Sequence, residues 1–133
     1  MNVIESTKKF LEAENKRDWQ AWKTFLADDC TYEVIGLPNI VGGKDSYLAK
    51  MQRTYTELPD WKFSILEISS NQDTVIVEFV GKGHFMGEYK DHQYESVPLK
   101  LQAVCVFKFA DGKIQEVREY WDPKGFERQL DNH

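Results

Sequence analysis

The chain has 133 residues, with 17 basic and 22 acidic side chains, a formal net charge of −5, 41% apolar residues and 14% aromatic residues. That length suits one domain spanning 1–133, able to bury a core without staples. The apolar fraction argues against a disordered chain, and the acidic balance against a nucleic-acid or membrane-surface binder.

Asn2 and Glu5 have capping-box spacing, and Val3, Thr7, Phe10, Leu11 and Glu14 recur at helical intervals, which predicts a helix over 3–16. Asp18 caps a second helix carrying Trp19, Trp22, Phe25 and Leu26 on one face. Cys30–Val34 reads as a short strand, and Gly36, Pro38 and Gly42-Gly43 as a loop. A third helix follows over 44–57, with Tyr47, Leu48, Met51, Tyr55 and Leu58 inward. After Pro59 the period changes to two. Trp61, Phe63 and Ile65 alternate with polar residues, and Thr74–His84 is β-branched and aromatic. Pro98–Phe109 and Lys113–Trp121 flank Asp111-Gly112, a strong hairpin signal. Asp122-Pro123 opens a last helix with Phe126 and Leu130 on its apolar side. Helices first and an antiparallel meander after make an α+β fold with the helices on one sheet face.

A two-residue turn at Asp111-Gly112 pairs Phe109 with Ile114, Phe107 with Glu116, Cys105 with Arg118 and Ala103 with Tyr120. One face then carries Cys105, Phe107, Glu116, Arg118 and Tyr120, and the other Val104, Val106, Val117, Glu119 and Trp121. Helices cover only one of these apolar faces. The second is therefore expected to meet another subunit, giving a homodimer through Val104, Val106, Val117 and Trp121.

Several stretches together resemble the nuclear transport factor 2-like superfamily, in particular its SnoaL-like branch of polyketide-cyclase-like and ketosteroid-isomerase-like proteins. They are Phe25–Tyr32, Gly42-Gly43-Lys44, Leu58–Phe63, and Phe107–Ile114 running on to Val117–Asp122. The resemblance implies a cone: a curved antiparallel sheet wrapped around a pocket and covered by three N-terminal helices, as in a cystatin-like α+β roll. It does not imply one reaction, because this fold hosts isomerases, dehydratases, cyclases, epoxide hydrolases and carriers. The three catalytic positions of ketosteroid isomerases fall on Phe10, Val34 and Cys105, none of which suits that chemistry. Polyketide cyclases of the branch use an acid on the last strand, which maps to Glu119, with a His that again maps to Cys105. The hairpin register above turns Glu119 away from the pocket.

On that register Arg118 is the foremost polar pocket candidate. It reads either as an ion pair with Glu116 or Glu78, or as an anchor for a ligand carboxylate or enolate oxygen. Tyr32 and Tyr120 line the same cavity by parity, though an aromatic filling a core is the commoner case, and Trp61, where the sheet begins, reads equally as pocket wall or core packing. His84, within Gly81-Lys82-Gly83-His84-Phe85-Met86-Gly87, is a candidate acid or base, or a surface His. The same glycines resemble a dinucleotide fingerprint, but the spacing is one residue too long and no helix follows. No metal-ligand spacing and no nucleophile-elbow motif occurs, so neither metal nor cofactor is expected. Cys30 and Cys105 read as buried free thiols of a reducing compartment. The N-terminus lacks an apolar leader, and no apolar run approaches a bilayer span, so a cytoplasmic protein is expected.

The expected ligand is a small hydrophobic molecule with one polar end, without nucleic-acid or membrane partners. Phe10, Tyr32, Val34, Tyr55, Trp61, Phe63, Cys105, Arg118 and Tyr120 are expected to bind it. Three readings stay open: a small-molecule-binding or carrier protein; a cofactor-independent isomerase, cyclase or dehydratase using His84, Glu78 or Arg118; and a dimerisation scaffold with a filled pocket.

Overall fold

The computed structural model describes residues 1–132. Helices α1 (Val3–Lys16) and α2 (Trp19–Thr24) precede strands β1 (Leu26–Val34) and β2 (Ile40–Gly42). Helix α3 (Lys44–Glu57) leads into the long meander β3 (Lys62–Asn71), β4 (Thr74–Tyr89), β5 (His92–Ala110) and β6 (Lys113–Trp121), closed by α4 (Pro123–Asp131). Local chemistry sets the ends. The Asn2 side chain accepts from the Glu5 amide at 2.8 Å, Asp18 caps α2, and Asp122 caps α4 with Pro123 in its first turn.

The sheet order is β2-β1-β6-β5-β4-β3. Its strands pair antiparallel except β1 with β6, which run parallel, so the expected antiparallel sheet contains one parallel seam. Two elements lie beyond the sequence reading. The Gly36–Gly43 loop contains the short strand β2, and β4 runs on to a turn at Lys90-Asp91, both at positive φ. The curved, unclosed sheet turns its concave face to the helices. Phe10 of α1 stacks on Trp22 of α2 at 5.2 Å and meets the edge of Phe107 on β5 at 5.9 Å. These contacts define an aromatic core in which Phe10, Trp22 and Phe107 are almost wholly buried.

The β5–β6 register differs from the sequence reading, and this decides the site. Asp111 and Gly112 both have positive φ, as the two-residue turn requires, and Phe109 pairs with Ile114 as expected. One residue later, however, Lys108 faces Glu116, leaving Gln115 as an extra residue on β6. The Gln115 side chain donates to the Asp29 carboxylate on β1 at 2.9 Å, where the β1–β6 pairing also shifts. Beyond this bulge Phe107 pairs with Val117, Cys105 with Glu119, and Ala103 with Trp121. A one-residue slip turns every following side chain to the opposite face.

Candidate functional site

Between the concave sheet and the helices lies a cavity of about 240 Å³. Its walls include Phe10, Leu11 and Glu14 of α1, Tyr32 and Val34 of β1, and Tyr47, Lys50, Met51, Thr54 and Tyr55 of α3. Trp61, Phe63, Phe79, Leu101, Ala103, Cys105 and Phe107 line it from the α3–β3 junction and the sheet, with Glu119, Trp121 and Phe126 from the C-terminal elements. The structure thus brings Phe10, Tyr32, Val34, Tyr55, Trp61, Phe63 and Cys105 around one hollow.

Arg118 and Tyr120 are not there. The bulge at Gln115 turns both to the outer face, where Arg118 pairs with Val106 across the ladder and its guanidinium donates to Glu116 at 3.0 Å. Tyr120 is 41% exposed. The same slip corrects the expected outer set. Val117, only 1% exposed, and the pocket-lining Trp121 point inward. Glu78 is exposed on the outer face, opposite Val104. His84 is also exposed. Its Nδ1 lies 2.6 Å from Asp60, which accepts the His84 backbone N–H with its other oxygen at 2.8 Å. The three expected catalytic candidates, His84, Glu78 and Arg118, therefore all lie outside the cavity.

Two carboxyl groups occupy it instead. Glu14 reaches in from α1, where it falls one turn after Phe10 on the apolar stripe; an acid at that phase was the available signal. Its Oε1 accepts from the Trp22 indole N–H at 3.1 Å and its Oε2 from the Tyr55 hydroxyl at 2.6 Å. Burial pushes this carboxyl up, and the two donors and the nearby Arg17 oppose the push. Glu119 enters from β6 and takes the Cys105 thiol at 3.6 Å, with the Tyr32 hydroxyl beside it. Burial, reinforced by the charge of Glu14, raises Glu119 to about 7. Burial likewise drives the Cys105 thiol well up, with Glu119 and Glu14 adding to the shift, so it is held as a neutral thiol. The expected pairing of Cys105 with Arg118 gives way to Glu119, which is the residue opposite.

The frame around these acids is tied down. The Tyr32 ring stacks on Tyr47 at 4.5 Å. The Arg17 guanidinium lies 3.6 Å above the Tyr55 ring and donates to the Trp61 carbonyl at 2.7 Å. The Trp61 indole lies flat against β4 at Gly81, where any Cβ would overlap the ring. Asn15 brackets Phe63, donating to its carbonyl at 2.8 Å and accepting its N–H at 3.1 Å, and so completes the edge of β3.

A helix-covered α+β cone enclosing an apolar pocket defines the nuclear transport factor 2-like class. Within it, the sequence model of the SnoaL-like polyketide cyclases matches residues 5–130, and the chain belongs to that family. Among solved structures, a protein described as a SnoaL-like polyketide cyclase from Jannaschia sp. CCS1 superposes with TM-score 0.88 at 15% identity, covering 96% of this chain and 90% of that one. IdmH, described as a polyketide cyclase from Streptomyces antibioticus, gives 0.84 at 19%, covering 98% and 99%. An LEH-like epoxide hydrolase from M. tuberculosis gives 0.76 at 22%, covering 96% and 91%. Comparison with curated proteins gives no match.

Proposed function

We propose that this protein is a cofactor-independent acid–base enzyme, of isomerase, cyclase or dehydratase type, acting on a small hydrophobic carbonyl compound. The observation that carries this reading is Glu119, a carboxyl poised near neutrality inside an apolar cavity and facing a second acid, Glu14. A group that titrates at about the working pH takes and returns protons readily. Ionised Glu119 would take a proton from the carbon next to the carbonyl, and the electron pair of that C–H bond would move onto the carbonyl oxygen. The Tyr32 hydroxyl beside Glu119 is the donor available to the resulting oxyanion. Protonated Glu119 then returns the proton, at the same carbon or another.

Binding without chemistry is the second reading, favoured by the predominance of apolar and aromatic side chains in the lining. The hollow itself argues against a scaffold with a filled pocket. Deuterium incorporation separates the two that remain. Propiophenone in D₂O with the protein is expected to exchange its α-hydrogens faster than in buffer, and Glu119→Gln to abolish the gain. Exchange no faster than in buffer, or unaltered by Glu119→Gln, would overturn the enzymatic reading.

The subunit pairing belongs to the same proposal, with altered membership. Ile76, Val104, Val106 and Tyr120 now form the apolar part of the outer face, and a second copy is its proposed partner.

A further inference from the structure

Lys50 stands apart from the other cations of the chain. Each of the remaining Lys and Arg side chains is either exposed or held by an ion pair or hydrogen bond. Lys50 is half-buried on α3 and lines the cavity, and its ammonium has no ion-pair or hydrogen-bond partner among the described residues. Its neighbours one turn away on the helix, Ser46, Tyr47, Arg53 and Thr54, offer no acid. Partial burial of an ammonium sacrifices hydration, which a fold normally recovers by pairing or by extending the group to water.

The other charges of the cavity give it a polarity. Glu14 has both oxygens committed, to Trp22 and Tyr55, and Glu119 is engaged by Cys105 and Tyr32. Neither forms an ion pair or hydrogen bond with Lys50, although the Lys50 charge reaches Glu119 and slightly opposes its upward shift. An anionic group pushed in among these two acids would meet like charge. Lys50 is the one cation among the described lining residues, so an anion is welcome beside it alone. A cavity of about 240 Å³ is smaller than the ~300–1,000 Å³ that holds a drug-sized molecule, and suits a compact guest.

We infer that the substrate is a small keto acid: its carboxylate pairs with Lys50, and its apolar body carries a carbonyl to Glu119. The orientation of the carbonyl rests on the acid–base reading given above, whereas the carboxylate preference rests on Lys50 alone.

The test uses 4-oxo-4-phenylbutanoate and its neutral primary amide, titrated against the full chain by ¹H–¹⁵N NMR. The wild type is expected to bind the acid about tenfold more tightly, the scale of one charge-assisted contact. The preference should shrink as salt is added. Lys50→Met should bring the affinity ratio close to one, and Lys50→Arg should restore it. A ratio near one in the wild type, a preference that survives Lys50→Met, or no binding of either compound would overturn the inference. Following α-hydrogen exchange in the same samples separates the two claims. Glu119-dependent exchange of the amide with no preference for the acid removes the role of Lys50 and leaves the acid–base reading. A Lys50-dependent preference without exchange does the reverse.

Discussion

Glu119 carries a stability consequence of its own. Its folded value of about 7 exceeds the ordinary carboxylate value of ~4.3 that applies in the unfolded chain. Below about pH 4 both states hold the proton, and the native fold bears no penalty. As pH rises, the unfolded chain releases its proton first, so stability declines until the folded carboxyl ionises near pH 7. The decline is on the order of 3 kcal/mol. Glu119→Gln removes it: urea unfolding is expected to show the variant more stable than wild type by about 1–3 kcal/mol at pH 8, and nearly equal to it at pH 4. Equal differences at both values would contradict the burial argument. Arg118 gives the converse case. Its pair with Glu116 lies on the outer face, away from the pocket, and keeps part of its hydration, so at concentrations where the chain is monomeric Arg118→Ala should cost less than about 1 kcal/mol in the same assay.

At the level of elements, two glycines answer the same substitution differently. Gly81→Ala drives a methyl into the Trp61 ring and should cost about 1–3 kcal/mol, with a visible change in tryptophan fluorescence as the pocket wall moves. Gly112→Ala meets open space but strains a turn residue at φ 77°, which should cost about 1 kcal/mol and leave the fluorescence unaltered. Asn15→Ala removes both bonds to Phe63 and should cost about 1–2 kcal/mol, with faster hydrogen exchange at the Phe63 amide. The four helices and the meander were legible in the sequence because apolar period, caps and the Asp-Gly turn agreed with one another. Gln115 was not. No Gly or Pro marks the bulge, and what holds it, a bond to Asp29, joins residues 86 apart in sequence. Every misplaced candidate on β6 follows from that one residue. Glu14 and Lys50 escaped for another reason: helical phase places an acid on a buried stripe and a lysine beside Met51, but phase alone does not reveal a hollow.

For the molecule as a whole, the outer sheet face is the part with most to gain from company. Ile76 is 45% exposed and Tyr120 41%, with Val104 and Val106 between them in the ladder. If two copies pair there, Val106→Asp should shift sedimentation from dimer to monomer while the pocket's ligand titration persists. A wild type that sediments as a monomer would refute the pairing. The cavity and the outer face also share one control point. Every interior side chain that β6 contributes after the bulge owes its direction to a single unmatched amino acid. Deleting that amino acid would swap acid for guanidinium and indole for phenol on the pocket wall in one genetic event, without touching any of the four codons. In such a cone, an insertion or deletion at a strand's root would re-aim the pocket wall as fully as point replacement at its tip would change it.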